Sequence, residues 1–419
     1  MKWPGATTRV LVALLAGAVL GLALARWHPA TALAAAGVAQ PIGRLWLSAL
    51  QMTVVPLVLA LVILGVATAS DAAASGRVAR RAMVVFVAML SFFAAYAALV
   101  APALLSLVPR SAQLAATLQA SATAVEAGAA PSLAQWIGGV IPSNAIMAAA
   151  QGAMLPLVVF ALFFGFALTR VEHDRRAQVI GLCHGVADTM IVIVRWVLLA
   201  APLGVFALML AVCAQAGVGV VGALAGYILL QCAMYLGATA ICYALVVVFA
   251  RRAPGAFANG ILPAQVVAAS TQSSLASLPA MLESARDRLG LPRAVAALVL
   301  PMAVTLFRIT SPIQYIVAAS FVAWAYGIEL TALQLAAGAA LAVVISLGSV
   351  GLPGQVSFMA TVLPVTQSMG LPVEPLGLLL AVDTIPDVFA TTGNVTGDLT
   401  ATAIVARHST EATDPPSGT

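Results

Sequence analysis

The sequence predicts an all-α polytopic membrane protein, and three observations carry that reading. The 419 residues are 62% apolar and only 8% charged, against about 25% charged for a typical soluble domain. Mean hydropathy is +1.07, and apolar runs repeatedly pass the roughly 18 residues that a membrane-crossing helix needs. The cations are also sorted by side. With the N-terminus placed in the cytoplasm, the Lys and Arg residues from Lys2 and Arg9 to Arg407 gather inside, and only Arg26, Arg44 and Arg110 fall outside. Arg195 and Arg308 remain within spans. Topology therefore accounts for the net charge of +5, and no nucleic-acid partner is implied; the natural surroundings are a lipid bilayer.

The first apolar run, Thr8 to Ala25, follows a short basic start. Ala23-Leu24-Ala25 has the look of a signal-peptide cleavage site, but the many spans that follow make the run a first helix over 8–26. Further spans read as 42–70, 83–108, 152–169, 178–214 and 218–250. Residues 111–150 are Ala/Ser-rich and less hydrophobic, an expected external loop. The polar segment 408–419, with Pro415-Pro416, reads as a disordered cytoplasmic tail. Cys183, Cys213, Cys232 and Cys242 lie scattered in apolar runs without metal or redox spacing, so they read as core thiols.

From 218 to 407 the helical pattern breaks. Residues 256–288 and 328–366 are each too interrupted for a plain span. The first carries Ser270-Thr271-Gln272-Ser273-Ser274 at its middle, the second the glycine-rich stretch from Ser346 to Gly354. Irregular backbone at membrane depth is tolerated only where protein buries it or it lines a cavity. Two such segments point to a transporter site built on re-entrant hairpins; a pair of kinked helices is the plainer alternative.

Asp383, Asp387, Thr391, Asn394 and Asp398 follow helical spacing and are expected on one face of one membrane helix, within an arc of roughly 80°. Of the 14 acidic residues in the chain, three fall in this stretch. An ionisable side chain at the bilayer centre costs on the order of 2.5–3.5 kcal/mol, so the stripe calls for a buried partner: a cation, an ammonium group or an Arg.

The interrupted segments also carry recognisable motifs. Thr271-Gln-Ser-Ser-Leu-Ala-Ser-Leu-Pro279, Gly351-Leu-Pro-Gly354 and Asn394-Val-Thr-Gly-Asp-Leu-Thr400 resemble the two hairpin tips and the last helix of the dicarboxylate/amino acid:cation symporter family, the glutamate-transporter type. Pro56-Leu-Val58, Phe160 to Thr169 and Ala201 to Leu208 fit its earlier helices. The resemblance implies eight transmembrane helices, two opposed re-entrant hairpins, a homotrimer, and a transport domain that moves like an elevator past a scaffold. It assigns 1–70 and 152–214 to scaffold and trimerisation helices, and 83–108 and 218–407 to the transport domain. It also implies site roles. Asp387 would hold a substrate α-ammonium. Asn394 would hold the α-carboxylate, with hairpin N–H groups near Ser273 and Ser274, and with Thr391, Ser311 and Gly351 beside it. Asp398 with Asn394 would bind one Na⁺, and backbone carbonyls around Thr305, Ser346, Leu347 and Ser349 a second.

Three departures qualify the likeness. Where acidic-substrate members carry an Arg that clamps the distal carboxylate, this chain has Ala390, so a second substrate carboxylate would be desolvated and unpaired. That favours a small neutral amino acid. The family's Asn-Met-Asp-Gly-Thr reads here Phe307-Arg308-Ile309-Thr310-Ser311, which removes the side-chain ligands of a further cation site. Gln272 stands where some members carry a basic residue, while Arg308 is new. Its guanidinium can pair with Asp383, Asp387 or Asp398 as a charge partner, contact the substrate directly, or snorkel to a helix end. The substrate-contact option keeps a dicarboxylate or acidic amino acid in play. No cofactor is expected; the coupling ion is Na⁺ or H⁺.

Two other function classes fit less well. An intramembrane aspartyl protease needs two carboxylates facing each other around one water, whereas these acids share one helix. A passive channel has no use for an ammonium-sized acidic pocket between two gates. Asp188 and Arg195, one heptad apart, read as scaffold polar anchors.

Overall fold

In hydrocarbon every backbone N–H must find its acceptor within its own segment, so long apolar runs fold as helices. In the computed structural model, which describes residues 6–74, 76–108, 138–217, 219–348 and 354–410, all regular structure is helical. Helices α1 (Ala6–Trp27) and α2 (Pro29–Gln51) are separated by His28, with Pro29 opening α2 where its missing N–H costs nothing. The span expected over 42–70 lies within one longer membrane-length helical segment, Pro29–Ala74. Helix α2 starts well before residue 42, and the chain breaks at Met52-Thr53 before α3 (Val54–Ala74). Pro56 is the cause: a continuous helix would set its ring against the Met52 carbonyl, and the break puts it in the first turn of α3.

Helix α4 (Arg77–Ser106) leads to a segment whose described end is not all loop. Asn144 caps a short helix, α5 (Ala145–Ala150), by accepting from the N–H groups of Ile146 and Met147 at 2.9 and 3.1 Å. After α6 (Met154–Leu168), the run expected as one span over 178–214 is two helices, α7 (His173–Leu199) and α8 (Ala201–Ala216). Pro202 again sets the boundary, at the start of the second helix. Helix α8 packs on α1 and α2. Glycines allow the close approach: a Cβ on Gly17 would lie 2.7 Å from the Phe206 carbonyl, and one on Gly43 2.6 Å from the Leu208 side chain. A small alanine-rich core, with Ala32, Ala36, Ala207 and Ala211, sits between α2 and α8. The Trp46 indole ties α2 to the end of α7 through the Val197 carbonyl at 3.2 Å, and Arg176 closes α7 onto α3 through Asp71 at 2.7 Å.

The remaining helices surround the last one. Helix α9 (Gly219–Leu245) runs on into a π turn, Val246–Ala250. Helices α10 (Pro254–Thr271) and α11 (Ser274–Glu283) pack against each other as a hairpin turning at Gln272-Ser273. Helices α12 (Arg293–Leu306) and α13 (Thr310–Tyr326) flank a break at Phe307-Arg308. Helices α14 (Ala332–Gly348) and α15 (Gly354–Ser368) also pack on each other; Ser349 and Gly351, between them, lie outside the described residues. Helix α16 (Leu376–Val382) meets α17 (Thr384–Thr410) at 71°. Helix α17 is packed by α4, α9, α10, α11 and α12.

Among the described residues, six helical segments are long and apolar enough to cross a membrane, or seven if the bent pair α16–α17 counts as one. Helices α6, α8 and α14 are apolar but shorter. The expected five-residue stripe is also corrected: Asp383 sits at the α16–α17 corner, ahead of the helix that carries Asp387 to Asp398. Pro386 explains the corner, because an unbroken helix would press its ring on the Val382 carbonyl.

Candidate substrate and ion site

Three interruptions of helical backbone converge on α17: the α10–α11 tip, the α12–α13 break and the Asp383 corner. The α12–α13 break is fastened first. Asn394 Oδ1 accepts from both the N–H and the hydroxyl of Thr310, each at 3.0 Å, and the same hydroxyl reaches the Ala390 carbonyl at 3.4 Å. Glycines one turn apart let the two elements touch. A Cβ on Gly393 would lie 3.0 Å from Thr310 Cγ2, and one on Gly397 2.9 Å from Ile309 Cδ1. Asn394 is buried at 2% exposure. Its oxygen is thus occupied, while its amide nitrogen makes no hydrogen bond among the described residues.

At the corner, Asp383 is buried and its Oδ1 accepts from Gln314 Nε2 at 2.7 Å. The hairpin tip meets the same corner through Gln272, whose Nε2 donates to the Thr384 carbonyl at 3.2 Å. Gln272 adopts a left-handed φ of 50° to make that turn. Ser273 then caps α11 by accepting from the Ala276 N–H at 3.2 Å. Ser274 is buried with its hydroxyl unpartnered, as is the hydroxyl of Thr391.

Asp387 lies half-buried one turn into α17, and its carboxylate makes no hydrogen bond or ion pair among the described residues. Arg308, half-buried at the break, is the cation whose charge acts on both Asp387 and Asp398. It forms no direct ion pair with either. Ala390, one turn beyond Asp387, is buried and apolar. Ser311, at the start of α13, is buried, with its N–H on the Arg308 carbonyl at 3.0 Å.

The residues expected to hold ions differ in how well they fit one. Asp398 is 0% exposed and neither carboxylate oxygen has a partner among the described residues. Such a group is costly until a cation or proton reaches it, so it suits an ion. Thr305 spends its hydroxyl on its own helix, on the carbonyls of Pro301 and Met302 at 3.0 Å. Ser346 does the same with Ala342 at 2.7 Å, and Leu347 is half-buried beside it. Phe307 and Ile309 do not fit a cation. Phe307 is stacked on Phe86 with ring centroids 4.6 Å apart, and Ile309 is fully buried against Gly397.

Several supporting residues were missed from sequence: Gln314, Thr310, and Gln265, which donates to Thr396 Oγ1 at 2.9 Å and Tyr243 Oη at 3.1 Å. Gln314 and Gln265 stand out as amides in apolar helices, and Thr310 as part of the polar 308–311 stretch, which are the signals that could have found them. Asp188 and Arg195 lie on the exposed side of α7, unpaired among the described residues.

A cluster of polar and acidic side chains where broken helices meet inside an apolar bundle defines a class, the secondary transporter. The pattern of the Sodium:dicarboxylate symporter family matches residues 6–408, and the chain belongs to that family, whose members are transporters in a membrane. A proton/glutamate-aspartate symporter of Escherichia coli (strain K12) is 26% identical over 403 residues, 95% of this chain and 92% of its own. A C4-dicarboxylate transport protein of Rhodospirillum rubrum is 28% identical over 407 residues, 95% of this chain and 87% of its own. The neutral amino acid transporter B(0) of Oryctolagus cuniculus is 29% identical over 426 residues, 93% of this chain and 77% of its own. The chain is accordingly a multi-pass membrane protein that acts by cation-coupled symport of a small molecule.

Proposed function

We propose that the chain imports a small neutral amino acid, coupled to Na⁺ or H⁺. The observation that carries the reading is the face of α17: an unpaired Asp387, an apolar Ala390, an unpartnered Thr391 hydroxyl and a free Asn394 amide nitrogen, in that order. Asp387 takes the ammonium, a charge-assisted contact in a dry site. Asn394, with N–H groups near Ser273 and Ser274, takes the α-carboxylate. Ser311 borders the site, and Ala390 leaves a distal carboxylate without a countercharge; Gly351 is assigned to it on the family resemblance alone. An ion at Asp398, where the Asn394 side-chain oxygen expected to share it is already taken by Thr310, and a second among the carbonyls near Thr305, Ser346, Leu347 and Ser349, would supply positive charge that favours the loaded state.

In this reading residues 83–108 and 218–407 move as a transport domain past scaffold helices in 1–70 and 152–214. The close packing of α8 on α1 and α2, with its small alanine-rich cluster, supports that division for those three helices. The α10–α11 and α14–α15 pairs act as opposed re-entrant hairpins. The protein works as a homotrimer in the inner or plasma membrane, with both termini cytoplasmic.

Losing a charge-assisted contact of about 1.5–3 kcal/mol lowers binding roughly 10–100-fold. Asp387→Asn should therefore cut L-serine uptake by that factor, while Ala390→Arg should admit L-aspartate at the expense of L-serine. Serine uptake unchanged in Asp387→Asn would overturn the assignment. A second reading, a dicarboxylate or acidic amino acid symporter with Arg308 as carboxylate ligand, is favoured by one observation: the guanidinium has no direct ion pair among the described residues. Strong competition by succinate would select it.

A further inference from the structure

The α12–α13 break poses a charge problem that the substrate reading does not address. Three carboxylates, Asp383, Asp387 and Asp398, lie along α16–α17, and buried unpaired charge is expensive at this depth. Family resemblance would place a cation at the break, between side chains that are here Phe307 and Ile309. Neither can hold one. Phe307 is committed to the Phe86 stack, and Ile309 fills the space over Gly397. The residue between them is Arg308.

Its position is set by contacts on both sides. Thr310, two residues on, is bonded to Ala390 and Asn394, and Ile309 rests on Gly397. The backbone of 308 is therefore held against the 390–397 stretch of α17, which lies between Asp387 and Asp398. Its charge acts on those two acids, and it forms no direct pair with either.

We propose that Arg308 is a resident cation: its guanidinium permanently supplies, between Asp387 and Asp398, the positive charge that a bound metal ion would otherwise bring to the α12–α13 break. The aromatic stack and the Ile309–Gly397 contact close the vacated ligand positions and hold the break in shape. The number of mobile cations needed to neutralise the site falls by one, so dependence on external Na⁺ is shallower than it would be with a neutral residue at 308. This rests on the symporter reading only for its consequence in transport; the charge substitution itself is a property of the folded protein.

The test is thermal unfolding of purified full-length protein in NaCl against choline chloride, for the wild type, Arg308→Met and Arg308→Lys. A ligand that binds only the folded state raises the melting temperature with its concentration. With the break still closed by Phe307 and Ile309, loss of the charge should strengthen Na⁺ binding at the unpartnered oxygens of Asp398. Arg308→Met should therefore gain a Na⁺-specific rise of about 2 °C or more over the wild type, and Arg308→Lys, which keeps the charge, should behave as the wild type. Equal Na⁺ responses in wild type and Arg308→Met would overturn the proposal. So would failure of both variants to fold in either salt, since the guanidinium would then be needed for its shape. Stabilisation of the wild type by succinate that Arg308→Met loses would also overturn it, in favour of carboxylate recognition. Recovery of folded Arg308→Met in NaCl alone would support it. Absence of amino acid uptake would remove the transport reading and leave these unfolding results standing.

Discussion

At the residue scale, close contacts between α17 and the α12–α13 break decide what the site can hold. Gly397 has no room for a methyl group beside Ile309, whose three nearest side-chain atoms lie 2.9–3.1 Å from where a Cβ would stand. Gly397→Ala should destabilise the protein by about 1–3 kcal/mol through overpacking. Ile309→Ala in the same chain should recover part of that loss, and a double-mutant cycle on melting temperature measures the coupling. Phe307→Ala, which leaves Phe86 facing a cavity, should cost about 3–5 kcal/mol. A small effect would mean that the break is held by Thr310 and Asn394 alone. Asn394 is the pivotal residue here, because its oxygen fixes the break while its nitrogen remains for a ligand.

At the scale of elements, the strained turn is at Gln272, whose φ of 50° favours glycine. Gln272→Gly relieves that strain but loses the bond to Thr384, so its stability should change by less than about 1 kcal/mol. Gln272→Val, β-branched in the same conformation, should lose distinctly more, and its hairpin tip should react faster with a thiol reagent through a cysteine placed at Ser274. Equal behaviour of the two variants would mean that the turn is not under strain. These elements were unevenly legible in the sequence. The α10–α11 turn was visible as a polar run inside apolar sequence, and Asp387 to Asp398 as helically spaced polar residues. The breaks at Met52, Ala200 and Asp383 were not, because hydropathy continues across them. Their only signals were Pro56, Pro202 and Pro386, and a proline inside an apolar run reads equally well as a kink.

At the scale of the whole molecule, the fold class was readable because solvent dictates it: a chain this apolar has little choice but helices in a bilayer. How α1, α2 and α8 pack on one another was not readable, since it depends on which small residues face each other across space. In the proposed function, substrate choice depends on still less, the presence of a cation near one turn of α17. The measurement that tests the central claim most directly is uptake of labelled L-serine into proteoliposomes. It should be run under an inward Na⁺ gradient and under choline with an inward proton gradient, with L-aspartate and succinate as competitors. We predict gradient-driven accumulation that neutral amino acids inhibit and the two acids do not. No accumulation under either gradient, or strong competition by succinate, would contradict it.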